Sequence, residues 1–194
     1  LVPLVMMALV GTLAYEFQVT IPLIAHQTFG LGATGFGLLY AAMGFGSVAA
    51  GLTLAGRVPP RVKTIAAAAL AFGAALGATA ISPTPLTAAL CLTVAGAASV
   101  VFSSTTNSAL QLRAAPAMRG RVVALYIVAF MGSTPIGGPL VGAVGQLAGP
   151  RAALGIGAAG CLAAAALAMA YGLTSAGGIG SPMSRARWLQ RPAR

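Results

Sequence analysis

Charged side chains are scarce in this sequence. Only 6% of its 194 residues are charged, and Glu16 is the single acidic residue. A soluble domain of this size carries roughly 25% charged residues, so a water-soluble fold is excluded. Because 58% of the residues are hydrophobic, we expect a lipid bilayer to be the solvent of this chain.

Metal-ligating and catalytic residue types are also few. The chain has one histidine, His26, and two cysteines, Cys91 and Cys161. The cysteines lie among Ala, Leu and Gly without metal-ligand spacing, so we interpret them as small buried hydrophobic residues and expect no metal or cofactor. An intramembrane protease needs a histidine base within reach of its nucleophile, but His26 is far along the chain from Ser103 and Ser104. We therefore expect no enzymatic activity.

Long apolar runs divide the chain into six segments, each near the 20 or so residues that a transmembrane helix needs. Short polar or proline-containing loops separate them, so the sequence predicts an all-α membrane protein with six transmembrane helices. We expect Pro22 to bend or end the first helix near its far side. The predicted spans are residues 2–25, 35–56, 64–81, 86–111, 122–147 and 152–173, and residues 174–194 are expected to form a basic, disordered tail.

The positions of the basic residues predict the orientation. Ten of the eleven Lys and Arg residues fall on one side of the predicted spans, and Arg151 alone falls opposite. The positive-inside rule makes that side cytoplasmic, with both termini. Since the cations lie in short gaps between apolar runs, the net charge of +10 does not indicate a nucleic-acid partner. The loop cations are Arg57, Arg61, Lys63, Arg113, Arg119 and Arg121, and the tail adds Arg185, Arg187, Arg191 and Arg194.

Polar side chains at helical spacing predict a site inside the membrane. In the first span, Thr12, Tyr15, Glu16 and Thr20 share one helix face. Placing a carboxyl group inside the membrane costs roughly several kcal/mol of free energy. Such a residue therefore usually faces a polar interior and has a functional role. The alternative is a protonated Glu16 that hydrogen-bonds a neighbouring helix as a structural contact.

Two other spans contribute candidates. The fourth span has a polar stripe that is able to line a wet cavity, although such residues also serve helix packing. The fifth span has prolines and glycines that favour a bend with a gating role, although both residue types are common in membrane helices. The stripe consists of Ser99, Ser103, Thr106 and Asn107, and the gating candidates are Pro135, Gly138, Pro139 and Gly142.

Three stretches carry a family resemblance: residues 14–23 (AYEFQVTIPL), 29–35 (FGLGATG) and 110–126, which begins LQLR and ends RGRVVALY. Their order and spacing resemble the C-terminal six-helix half of a major facilitator superfamily transporter, close to the bacterial branch that includes enterobactin exporters. The resemblance implies a major-facilitator-type bundle whose first and fourth spans line a central cavity. In the family's loop motif after the second helix, Ala55 stands where an aspartate is expected, which puts the charge-relay role of that loop in doubt.

The resemblance also implies a function. Such a half, joined to an N-terminal six-helix half that this chain lacks, would belong to a proton-coupled antiporter in the bacterial inner membrane. By alternating access it would export small amphiphilic molecules, such as drugs or siderophores. The alternative is a non-transporting membrane partner derived from a transporter half. If the chain is a transporter half, we expect that it does not transport alone, because the polar stripes of its first and fourth spans would face lipid without the other half.

Overall fold

The computed structural model describes residues 2–54, 57–132 and 134–176, with side chains up to Tyr171. Every regular element in these ranges is helical. Ala55 and the basic tail from residue 177 onward, which the sequence analysis singled out, lie outside the described residues. The helices are α1 (Val2–Ala14), α2 (Phe17–Leu23), α3 (Ala33–Thr53), α4 (Val62–Ile81), α5 (Pro85–Arg113), α6 (Arg119–Met131), α7 (Thr134–Leu147) and α8 (Pro150–Ala176).

Six helical segments of the described chain are long and apolar enough to cross a membrane. The helices α3, α4, α5 and α8 each form one span. The first span combines α1, α2 and a π-helical turn at Ile24–Thr28, and the fifth combines a 3₁₀ turn at Pro116–Met118 with α6 and α7. This confirms the predicted fold class, an all-α membrane protein with six spanning helices.

The bundle is built around α4, which packs between α8 and α5. Helix α3 packs on the outer side of α5, while α1 packs on α8 and carries α6 and α7 beside it. Glycine lets α3 and α5 cross closely, because a Cβ on Gly46 would overlap the Thr93 carbonyl oxygen and one on Gly96 would overlap the Met43 carbonyl oxygen. Close helix packing of this kind stabilises bundles in lipid, where the hydrophobic effect between helices is absent.

The two ends of the bundle differ in charge. At one end, an Arg151 Nη2 donates to the Ser82 carbonyl oxygen at 3.1 Å and joins the α4–α5 turn to the start of α8. At the other end, the α3–α4 loop (Val58, Pro60) and the first residue of α6 (Arg119) line a common cleft. The six loop cations therefore lie at the end opposite Arg151.

The first span is interrupted at a point that the sequence did not predict. Pro22 lies inside α2, which ends one residue later at Leu23 and continues as the π-helical turn. The larger interruption lies at Tyr15 and Glu16, between the end of α1 and the start of α2. Glu16 thus lies at a helix break and not on a continuous helix face.

Candidate functional site

Glu16 is the residue immediately before α2, with φ of −80° and ψ of 45°. Its carbonyl oxygen accepts the N–H groups of Val19 and Thr20 at 3.1 and 3.0 Å, and the Thr20 hydroxyl donates to it as well at 3.1 Å. The carboxylate makes no capping bond to α2. The backbone of Glu16 is therefore held by α2, while its side chain is left for another partner.

The Glu16 side chain is buried and incompletely paired. It is 4% exposed, and its Oε1 has no hydrogen-bond partner in the described structure. The described Lys and Arg residues all lie at helix ends or in loops, so the described bundle supplies no Lys or Arg at the depth of Glu16. A negative charge at this position has nothing in the described bundle to neutralise it, which makes it costly.

The carboxyl group lies against α7. A Cβ on Gly137 would come 2.7 Å from Glu16 Oε1, and a Cβ on Gly138 would come 3.4 Å from Oε2. The Gly137 Cβ would also overlap the Thr12 carbonyl oxygen of α1. Only glycine at 137 permits this approach, so α7 contacts the backbone of α1 and the carboxyl group at the break together.

An interrupted span and a proline-containing span meet at this point. The first span breaks between Ala14 and Phe17, and the fifth span brings α7, which contains Pro139, against this break. Gly137 is about one helical turn into α7. Transporters commonly place their substrate and ion sites where interrupted helices meet near the bilayer midplane.

Aromatic side chains hold the break in place. The Tyr15 hydroxyl donates to the Ser99 carbonyl oxygen of α5 at 2.7 Å. Its ring meets the rings of Phe130, Phe72 and Phe17 edge-on, with centroids 4.9, 5.4 and 5.7 Å away. These contacts connect the break to α4, α5 and α6, and such pairs contribute about 0.5–1.5 kcal/mol each beyond burial.

The polar stripe of α5 is only partly brought to this site. The Ser99 and Ser103 hydroxyls donate within their own helix, to the Gly96 and Val100 carbonyl oxygens at 2.8 and 3.2 Å. The Ser103 carbonyl oxygen accepts from the Tyr126 hydroxyl at 3.3 Å. The Ser103 and Ser99 side chains also lie within hydrogen-bonding reach of the Tyr15 hydroxyl, so both the backbone and the hydroxyl groups of α5 meet the tyrosines around the break.

The remaining predicted polar residues differ in their surroundings. Thr106 is fully buried and its Oγ1 has no partner within the described residues, whereas the Asn107 Oδ1 accepts from Gln111 Nε2 at 3.0 Å along α5. In α1, the half-buried Thr12 donates its hydroxyl to the Ala8 carbonyl oxygen at 2.7 Å. Thr106 is thus a second buried polar side chain, after Glu16, that has an oxygen without a hydrogen-bond partner among the described residues.

The four gating candidates all lie in α7. Pro135 is exposed in its first turn, and Pro139 lies inside the helix and gives it no N–H. Gly138 faces Glu16, and a Cβ on Gly142 would make ordinary contact with Val19 at 3.7 Å. Gly137 was missing from the candidates, because sequence alone does not distinguish two adjacent glycines between the same prolines.

The structure does not bring His26 close to Ser103 or Ser104, the residues considered for an intramembrane protease site. His26 is exposed in the π-helical turn, at the end of the bundle where α5 begins. Ser104 is about 28 Å further along α5 at 1.5 Å per residue. The described residues also contain no group of three potential metal ligands.

The comparisons with known proteins identify the family. No curated protein and no solved structure matches the chain significantly. The sequence model of a family described as transmembrane secretion effectors matches residues 2–191, which include all six spans. This chain therefore belongs to the transmembrane secretion effector family, whose members are transporters of the major facilitator type.

Proposed function

We propose that this chain is the C-terminal half of a secondary transporter that exports small amphiphilic molecules in exchange for protons. Glu16 is the group that carries the proton or binds a cation. The observation that supports this role is a carboxyl oxygen that is buried, without a partner among the described residues, and placed where the interrupted first span meets the proline-containing α7. Alternating access of the two six-helix halves would expose this junction to each side of the membrane in turn.

The charge balance of the bundle supports an exchange at Glu16. An ionised carboxylate without a nearby cation is costly in a water-poor interior, so a proton or a cation has to accompany it. Because Glu16 is the single acidic residue of the chain, both would compete for the same group. Competition of a proton and a cationic or polar substrate for one carboxylate is sufficient to couple their opposite movements.

The packing of α7 on Glu16 supports a gating role for this helix. Pro139 removes one backbone hydrogen bond from α7, so the helix bends at lower cost than a regular one. Its glycines, Gly137 and Gly138, lie directly over the carboxyl group. A bend or shift of α7 would change the access of Glu16 to water and to substrate.

The same proposal includes a partner half and an orientation. Helices α3 and α6 keep large apolar side chains exposed, among them Phe45, Leu52 and Met131 at 72, 78 and 67%. These surfaces are suited to lipid and to a second six-helix bundle. The end that carries the loop cations is cytoplasmic in this proposal, as the positive-inside rule requires, and the membrane is the bacterial inner membrane.

Glu16→Gln in the complete transporter that contains this chain tests the proposal. The amide keeps the shape and hydrogen bonding of the side chain but cannot titrate. In everted membrane vesicles with an acidic lumen, uptake of an amphiphilic fluorescent dye should fall to the level of vesicles that lack the transporter. Membrane insertion should remain near normal, because the packing against α7 is preserved, and the remaining dye binding should no longer depend on pH.

Two control variants make the result specific. Glu16→Asp keeps a titratable group at this position, so it should retain a pH-dependent uptake at a lower rate. Gln18→Ala changes an exposed side chain of α2 and should leave uptake unchanged. Unaltered rate and pH dependence in Glu16→Gln would show that Glu16 is a structural hydrogen-bonding group and that the proposed coupling is wrong.

A further inference from the structure

A cleft of about 340 Å³ opens at the end of the bundle that carries the loop cations. Its walls come from three parts of the chain: the α3–α4 loop with Val58 and Pro60, the last turns of α5, and Arg119 at the start of α6. The α5 residues of the cleft begin at Ser104, about one and a half turns beyond Ser99, and its outer wall at Gln111 lies more than three turns beyond Ser99. It is therefore separate from the site around Glu16.

The cleft is positively charged and has no counter-charge in this chain. Arg119 makes no hydrogen bond or ion pair within the described residues, and Arg57, Arg61 and Lys63 lie in or beside the loop that forms the opposite wall. The single acidic residue, Glu16, is buried at the helix break. An anion that neutralises Arg119 must consequently come from another molecule.

Unused hydrogen-bond donors also converge on the cleft. The hydroxyls of Ser104 and Thr105 are engaged with α5 carbonyl oxygens. The exposed Ser108 hydroxyl has no partner among the described residues, and Gln111 uses one amide hydrogen to bind Asn107, which leaves the other. Together with the guanidinium of Arg119, these groups present several donors and one positive charge, which suits a phosphate.

The rim of the cleft is apolar. Leu112 is 69% exposed, and Val58 lies across the cleft from α5. A free phosphate gains nothing from such a rim, whereas a phospholipid places its acyl chains along apolar surface directly below its headgroup. Basic pockets between spanning helices on the cytoplasmic side are a known type of site for anionic headgroups.

We propose that this cleft binds the phosphate headgroup of an anionic phospholipid, held by Arg119, Ser108 and Gln111, with the acyl chains leaving past Leu112. The site binds one lipid and is independent of the transport role of Glu16. It fixes the α3–α4 loop to the start of α6 and so connects the second and fifth spans at their cytoplasmic ends.

Native mass spectrometry of the 194-residue chain in detergent tests this site. Phosphatidylglycerol is titrated against wild type, Arg119→Gln and the matched control Arg113→Gln, which removes a charge at the same end outside the cleft. We expect one lipid to bind saturably to wild type and about tenfold more weakly to Arg119→Gln. Arg113→Gln should weaken binding by less than about threefold. A thermal unfolding scan of each variant verifies that it is folded.

Three further measurements distinguish an anionic phospholipid from other ligands of the cleft. Phosphatidylcholine should bind without dependence on Arg119, and inorganic phosphate should neither displace the lipid nor raise the unfolding temperature. Ser108→Ala supplies a second, milder variant with a smaller loss of affinity if Arg119→Gln fails to fold. Equal losses in Arg119→Gln and Arg113→Gln, displacement by inorganic phosphate, or no saturable binding to wild type would each overturn the proposal. The last result would leave the cleft to an acidic segment of another polypeptide.

Discussion

Gly137→Ala is the change to which the candidate site should be most sensitive. The new methyl group would overlap the Thr12 carbonyl oxygen and come 2.7 Å from Glu16 Oε1. Over-packing costs about 1–3 kcal/mol, and the upper value applies here because the Thr12 oxygen belongs to the backbone and cannot rotate away. Alanine returns up to about 1 kcal/mol through its helix propensity. The net destabilisation is therefore about 2 kcal/mol.

The assay is a thermal unfolding scan of the purified chain in detergent. A loss of about 2 kcal/mol corresponds to a decrease of about 4–8 °C in the midpoint for a chain of this size. The matched control is Gly142→Ala in the same helix, whose methyl group would meet Val19 Cγ1 at an ordinary 3.7 Å. It gains the same helix propensity without the overlap, so its midpoint should stay or rise. Equal midpoints for the two variants would refute the close contact between α7 and α1.

Two other outcomes follow from the packing and the charges. Gly46→Ala should lower the unfolding midpoint, since its methyl group would overlap the Thr93 carbonyl oxygen, whereas Gly44→Ala, with nothing within 4 Å, should not. An impermeant thiol reagent applied to intact cells should modify a cysteine placed at Pro83 but not one placed at Pro60; the reverse pattern would contradict the proposed orientation.

The architecture could be predicted because its cause is local. Six apolar segments separated by short polar loops leave few alternatives to six spanning helices, and the described structure contains six. The opposite placement of Arg151 and the loop cations also follows from the order of the segments. Once the number of spans is known, alternate loops must lie at opposite ends.

The break at Tyr15 and Glu16 could not be predicted, because its cause is tertiary. Neither residue interrupts a helix by its own conformational preference, and the nearest proline in the chain direction, Pro22, is accommodated within α2. The contacts of the Tyr15 hydroxyl with α5 and of its ring with Phe72 and Phe130 fix the interruption. Those partners are more than 50 residues away, so a pattern within the first span contains no sign of them.

The roles of the other candidate residues depend on distances between helices, which the spacing of residues in the sequence does not reveal. Helical spacing put Ser99 and Ser103 on one face, but it did not predict that their carbonyl oxygens accept hydrogen bonds from Tyr15 and Tyr126 while their hydroxyls also donate within α5. Likewise, Gly137 and Gly138 are equivalent in the sequence. Only the approach of α1 makes Gly137 the position where any side chain would overlap a backbone atom.

In the proposed transporter, the position of Glu16 also determines what the proposed partner half must supply. The carboxyl group has α7 on one side and no cation at its depth in the described bundle, so its neutralising charge arrives as a proton, as part of a substrate, or on a side chain of the partner. A permanent side-chain cation would hold Glu16 ionised and remove the competition between proton and substrate. Exchange at Glu16 therefore requires that the partner half present polar but uncharged groups to this junction, or a cation that moves away in one of the two access states. In either case the proposed coupling depends on the surface that faces Glu16. The loop cations lie at the end of the bundle, so in this proposal they set the orientation without contributing to the coupling.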